Sequence, residues 1–363
     1  MINELIDLTI QIQQIPAPTF DESIRGQFIK QTFTATPGKL SEIQTDHAGN
    51  VLACIKGSGT GKPLVISAHL DTVFPKETNL AVHYEEGKIF GPGIGDNSLG
   101  VAGLFGIVWE LQKRSIILPG DIWFTANTCE EGLGNLRGMK EIVNRFGADP
   151  VAYLVLEGMA LGNIYHRGAG VQRYKINIQT EGGHSWTDYG KPSAINELSE
   201  MINKITGIKL PSKPHSTLNI GRISGGTSIN TIASNAWMEL DLRSEDPASL
   251  QELDSRVSII VNKCRKKGFE IDINSIGQRP AGEISLDHKI IRLAENCLLE
   301  QGIQPEFTIG STDANYPLSL GYPALVLGLS TGGKAHTIHE FIETSPLKQG
   351  IEHIIQFISR VWQ

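Results

Sequence analysis

Apolar residues run almost without interruption through P-L-V-I-S-A (63–68), V-A-Y-L-V-L (151–156) and P-A-L-V-L-G (323–328). Strands apolar at nearly every position are buried on both faces. Helical spacing lies between them: Leu104, Ile107, Val108 and Leu111 form one stripe in the segment from Gly100 to Gln112. A strand over 122–129 and a helix around 137–146 continue the alternation. A helix over 287–301 and a terminal helix over 346–361 flank the last apolar run. The pattern predicts an α/β domain with a mostly parallel sheet covered by helices.

After about Gly168 the texture changes. V-Q-R-Y-K-I-N-I-Q-T (171–180) alternates in the manner of a half-exposed strand, and a helix follows over 194–205. Two more alternating strands, near 216–223 and 236–243, precede a helix around 248–267 and the strand F-E-I-D-I-N (269–274). This β-α-β-β-α-β order predicts a small antiparallel α+β domain of ferredoxin-like type. It would be inserted at 169–283 into a larger domain formed by 1–168 and 284–363.

A chain of 363 residues has room for both domains. Its net charge of −7 argues against nucleic acid or an anionic membrane as partner. Glycines and charges interrupt every apolar run before it reaches the length of a membrane span. The start, M-I-N-E-L-I-D-L, lacks the basic and apolar regions of a signal peptide. Cys54, Cys129, Cys264 and Cys297 are widely spaced, as expected of buried thiols in a reducing cytoplasm.

Polar residues that could carry chemistry gather at the predicted strand ends: His69 and Asp71, Asp96, Glu130 and Glu131, Glu157, and His336. Ligands of open α/β sheets bind there. Each residue alone has a plainer explanation: a hydrogen-bonded core histidine, a helix N-cap at Asp96, a surface-facing strand end at Glu157. The glycine-rich F-G-P-G-I-G-D-N is no nucleotide loop, because GxGxxG is absent and no GK[ST] follows. G-L-S-T-G (328–332) matches a nucleophile elbow formally, but no aspartate follows Ser330. His336 and His339 do not form HExxH.

Taken in order, H-x-D, G-x-G-D-N, E-E-G, L-E-G and H-x-x-x-E resemble the co-catalytic di-zinc metallopeptidases and deacylases. That family includes peptidase T, carboxypeptidase G, acetylornithine deacetylase and succinyl-diaminopimelate desuccinylase. The resemblance implies a zinc-exopeptidase-like catalytic domain, with the insert acting as lid and dimerisation domain. It implies that His69 and Glu157 hold one metal, Glu131 and His336 the other, and that Asp96 bridges them across a cis Asp96–Asn97 peptide. Asp71 would orient His69, and Glu130 would be the general base. In the insert, His184 of G-G-H-S would stabilise the oxyanion, while Asn230 and Arg243 would contact substrate. Thr312 and Asp313 of G-S-T-D-A-N receive no role. Two divalent ions are implied; a His/Asp/Glu ligand set suits Zn²⁺ and admits Co²⁺ or Mn²⁺.

The expected activity is hydrolysis of an amide bond in short peptides, as a peptidase T-like aminopeptidase. The arginine-bearing loop of tripeptidase relatives reads I-G-S-T-D-A-N here. An N-acyl-amino-acid deacylase or carboxypeptidase is therefore the alternative. A non-catalytic metal- or peptide-binding homologue is the alternative from another class.

Overall fold

The computed structural model describes residues 1–37 and 40–363. The chain divides into two compact units, Met1–Gly168 with Gly282–Gln363, and Ala169–Ala281.

The larger unit is built on a sheet whose centre is parallel. Gly61–His69 pairs in parallel with Gly120–Asn127 on one side and Ala152–Glu157 on the other, and Ala324–Gly328 continues beyond Ala152–Glu157. These strands are buried nearly throughout, as their unbroken apolar composition requires. The sheet is nevertheless mixed. Leu40–Thr45 and Val51–Ile55 add antiparallel pairs at one edge, and Asn163–Gly168 runs antiparallel to Ala324–Gly328. Helix Leu99–Lys113 is buried on nearly every face, between the sheet and the helices Ile2–Gln13 and Leu347–Arg360. The N-terminal helices Ile2–Gln13 and Ser23–Ala35 carry no element expectation from the sequence pattern.

One group in this core sets a pH dependence. His353 is fully buried in the last helix, and its Nε2 donates to the Gly328 carbonyl at 2.8 Å. Burial pulls its pKa from 6.5 to about 4. The unfolded chain takes up a proton below pH 6.5 while the folded chain does not until about pH 4. Stability is therefore fully present above the unfolded value and is lost as pH falls through this window. Between pH 7 and pH 5 this one group should cost about 2 kcal/mol. Urea unfolding at the two values should show it, and His353→Gln should lessen the difference by roughly that amount.

The smaller unit follows the order strand Gly170–Gln179, helix Ala194–Thr206, strands Ser216–Gly225 and Asn235–Ser244, helix Pro247–Cys264 and strand Glu270–Arg279. Its four strands are all antiparallel, with Asn235–Ser244 and Gly170–Gln179 at the centre. Both helices pack on this sheet around Leu198, Met201, Leu253 and Val257, forming a core of their own. Ser193 and Asp246 cap the two helices, each accepting a backbone N–H from three residues on. This unit ends at Ala281 rather than 283, because Gly282 and Glu283 pair with Gly168 and Arg167 in the larger sheet.

Candidate metal centre

His69 is the last residue of its strand and Glu157 the last of the next. The strand expected over 122–129 ends at Asn127. Cys129 then takes a left-handed backbone (φ 61°) and Gly132 another (φ 53°), so Glu130 and Glu131 sit in a turn. Asp96 lies between Gly93 and the long buried helix, and its peptide to Asn97 is cis. His336 occupies a left-handed position (φ 63°) in the loop before Phe341–Glu343.

These loops converge. Asp96 places Oδ1 3.0 Å from His69 Nε2 and Oδ2 3.0 Å from His336 Nε2. His336 Nε2 is also 3.2 Å from Glu131 Oε1, and His69 Nε2 is 3.9 Å from Glu157 Oε2. One carboxylate thus reaches two histidines, each with a second carboxylate beside it. His339 lies exposed nearby, with its backbone N–H on Thr337 Oγ1.

Asp71 meets His69 mainly through its main chain. His69 Nδ1 meets the main-chain oxygen of Asp71 at 3.0 Å, whereas the Asp71 carboxylate is 3.6 Å away, beyond a good hydrogen bond. A carbonyl can only accept, so His69 carries a proton on Nδ1, and Nε2 is the atom that faces Asp96. The Asp71 carboxylate instead accepts the backbone N–H groups of Glu130 (3.0 Å) and Glu131 (2.8 Å), and the Thr19 hydroxyl (2.9 Å).

Charge in this cluster is unbalanced. Burial pushes Glu157 well above the ordinary carboxylate range, reinforced by Asp96, Glu130 and Asp313 and only partly offset by His69. Hydrogen bonds to Asp96 and Glu131 drive His336 up to about 10, against the opposing effect of burial. Burial also raises Asp96, but His336 and His69 more than offset it and hold the carboxyl below its usual range. Glu131 Oε1 is buried and has no partner besides His336 Nε2. His69, Asp96 and Glu131 can bring one donor atom each within 4.8 Å of one another. Buried carboxylate oxygens and imidazole nitrogens converging in this way fit a divalent cation.

Of the groups that support these loops from behind, the sequence pattern marks Glu340, the glutamate of H-x-x-x-E, and names Asp313 without a role. Glu340 is fully buried and accepts N–H groups from the Asp96 loop. Burial pushes its carboxyl up to about 7, although those N–H bonds act to lower it. Glu22 accepts the Cys129 N–H at 3.0 Å, and the buried Arg25 donates to the Leu70 carbonyl at 2.7 Å. Asp313 is buried and accepts from Asn127 Nδ2 at 2.7 Å. Such anchors bond to main chain or to one distant side chain, and only the glutamate four residues after His336 had any spacing signal.

The remaining expected residues belong to the smaller unit. His184 is exposed on a short ribbon, Gly183–His184 against Thr231–Ile232. Its Nδ1 accepts the backbone N–H groups of Trp186 (3.2 Å) and Thr187 (3.4 Å), which leaves the ring proton on Nε2. Asn230 is adjacent, its carbonyl accepting from Ser185 N at 3.0 Å. Arg243 instead lies on the sheet, bonded to Asp241 Oδ2 at 2.7 Å, while Arg173 holds the other oxygen of Asp241.

A carboxylate-rich site at the ends of parallel strands, with a separately folded α+β insert, defines a hydrolase of the metallopeptidase class. Residues 65–360 match Peptidase family M20/M25/M40, and the chain belongs to that family. Succinyl-diaminopimelate desuccinylase of Corynebacterium glutamicum is 24% identical, over 96% of this chain and 94% of that protein. Acetylornithine deacetylase of Proteus mirabilis is 26% identical, over 85% and 81%. Among solved structures, a tripeptidase of Staphylococcus aureus superposes with a TM-score of 0.83 at 21% identity, covering 100% of this chain and 99% of that one. Aminopeptidase PepT of Bacillus cereus does so with a TM-score of 0.80 at 21% identity and the same coverage. Among the described residues, no helix is long and apolar enough to cross a membrane.

Proposed function

We propose that this chain is a two-metal aminopeptidase of short peptides, resembling peptidase T. The observation that carries the reading is Asp96, with one oxygen 3.0 Å from each of two histidines. His69 and Glu157 would hold one divalent ion, His336 and Glu131 the other, with Asp96 shared. Zn²⁺ suits this N/O set, and Co²⁺ or Mn²⁺ is admitted. When bound, such ions polarise the scissile carbonyl and acidify water. Glu130 takes the proton from the attacking water and passes it to the leaving amine. It is buried, and its backbone is pinned by Asp71, which limits the geometries it can adopt. His184 donates Nε2–H to the oxyanion that develops on the carbonyl oxygen. Asn230, beside it, contacts the substrate backbone, and Arg243 offers a cation for a substrate carboxylate.

The solved tripeptidase and PepT folds support the aminopeptidase reading, while the desuccinylase and deacetylase relatives support an N-acyl-amino-acid deacylase as second reading. Residues 169–281 would serve as lid and dimerisation domain in a cytoplasmic homodimer. The strand Ser216–Gly225, an edge of their sheet, supports this, since an open edge can pair with a second copy. A monomeric mass by light scattering with full activity would remove the dimer.

A small substrate panel tests the activity. Protein loaded with Zn²⁺ should release the first residue from tripeptides with a free amino terminus, and chelation should abolish this. Faster turnover of N-acetyl amino acids would favour the deacylase. No hydrolysis of any member, with two ions bound, would overturn both readings.

A further inference from the structure

The loop that carries Asp96 is held from two sides. Behind it, Asn97 Nδ2 donates to the Leu156 carbonyl at 2.8 Å, while Asn97 Oδ1 accepts from Gly100 N and Gly158 N, both at 3.1 Å. On the other side stands Glu340. Its Oε1 accepts the N–H groups of Gly95 and Asp96, both at 2.8 Å, and its Oε2 accepts that of Gly93 at 3.3 Å. The Glu340 carbonyl also takes Gly91 N at 2.9 Å. Gly93 is left-handed (φ 71°), which helps successive N–H groups converge on one anion. Glu340 is fully buried, so these bonds are not exchanged for water.

We propose that Glu340 is a positioning residue that pre-assembles the metal site, fixing the Asp96 backbone so that its carboxylate spans His69 and His336. This inference rests on the two-metal reading of the site. Glu340 follows His336 by four residues and directly precedes Phe341–Glu343, which pairs with Lys88–Phe90. One short segment therefore brings a candidate ligand and also clamps the loop of the shared one. The order of the two loops is set together. Carboxylate-to-N–H bonds are charge-assisted, and removing the carboxylate strands three backbone donors at once, two of them buried. A loop released in this way would let the Asp96 oxygens drift from the pair of histidines they both must reach.

The test compares Glu340→Ala and Glu340→Gln with the unaltered chain, by titrating Zn²⁺ and Co²⁺ against a competing chelator. Thermal unfolding of the metal-free proteins is measured alongside. The alanine variant should bind the ions about 10–100-fold more weakly, the range for removing an outer support of a metal site. Glutamine keeps an acceptor where Oε1 serves two N–H groups, but turns an amide toward Gly93 N. It should weaken binding by about threefold to tenfold, the effect of one lost hydrogen bond. The Co²⁺ absorption spectrum should shift in both variants. Metal affinity and spectrum unchanged, with only the metal-free unfolding temperature lowered, would reduce Glu340 to a structural role and overturn the proposal. If the alanine variant does not fold, unchanged affinity in the glutamine variant overturns it equally. Fewer than two ions on the unaltered chain would instead sink the two-metal reading itself.

Discussion

Glu130→Gln should leave both metals bound and substrate affinity nearly intact, while turnover falls by at least about 100-fold. Glutamine keeps the size and hydrogen-bonding capacity of the side chain but removes the proton acceptor. The backbone would not move, because the Glu130 N–H bonds to the Asp71 carboxylate whatever the side chain is. Glu131→Ala should behave in the opposite sense. Its carboxylate oxygen lies 3.2 Å from His336 Nε2 and is otherwise unpartnered and buried. Losing it should release one ion on dialysis, seen by elemental analysis. The contrast follows from what each measurement reads: turnover depends on a proton transfer in the transition state, metal affinity on the ligands. Exchanged outcomes would mean the roles of the two glutamates are reversed. Metal and activity retained in both variants would remove the two-metal hydrolase reading.

The adjacency of those glutamates shows what the sequence reveals and where local pattern misleads. Apolar runs locate the central strands to within two residues, because burial on both faces leaves a direct compositional trace. Extending the strand that begins near 122 to 129 does not hold. Cys129 is apolar enough to continue a strand, yet its left-handed backbone ends the strand early. Residues 130 and 131 therefore do not alternate across a sheet; they emerge from a turn whose N–H groups Asp71 gathers. The part of Asp71 that orients His69 is its carbonyl, which every residue possesses, so no residue type could signal it. Glu22 is hidden for a related reason: its main partner is the backbone of a segment 107 residues away. The ordered motifs make the ligand candidates legible because a cation demands particular side chains. The supports behind them are legible only once the chain is folded.

A large loss of stability is expected at a glycine on the border of the site. Gly328 ends the strand Ala324–Gly328 opposite Glu157. A Cβ there would lie 1.9 Å from the Ala160 carbonyl carbon and 2.0 Å from Leu161 N, both main-chain atoms that cannot rotate away. Gly328→Ala must therefore separate 157–161 from 328–330. Three bonds join these segments: Leu329 N to Glu157 O, Ser330 N to Gly158 O and Leu161 N to Ser330 O. Overpacking that shifts backbone should cost at least about 3 kcal/mol, read as a lower midpoint in chemical unfolding. Gly302→Ala separates this overlap from left-handed strain. That glycine has φ 73° but nothing within 4 Å of an added Cβ, so only about 1–2 kcal/mol is expected. Because the displaced segment begins at Glu157, Gly328→Ala should also weaken the ion that Glu157 and His69 would share, leaving the other less affected. Equal unfolding midpoints for the two alanine variants would show that the backbone at 157–161 yields without cost, and the close packing of Glu157 against its neighbouring strand could then not be what holds that carboxylate in place.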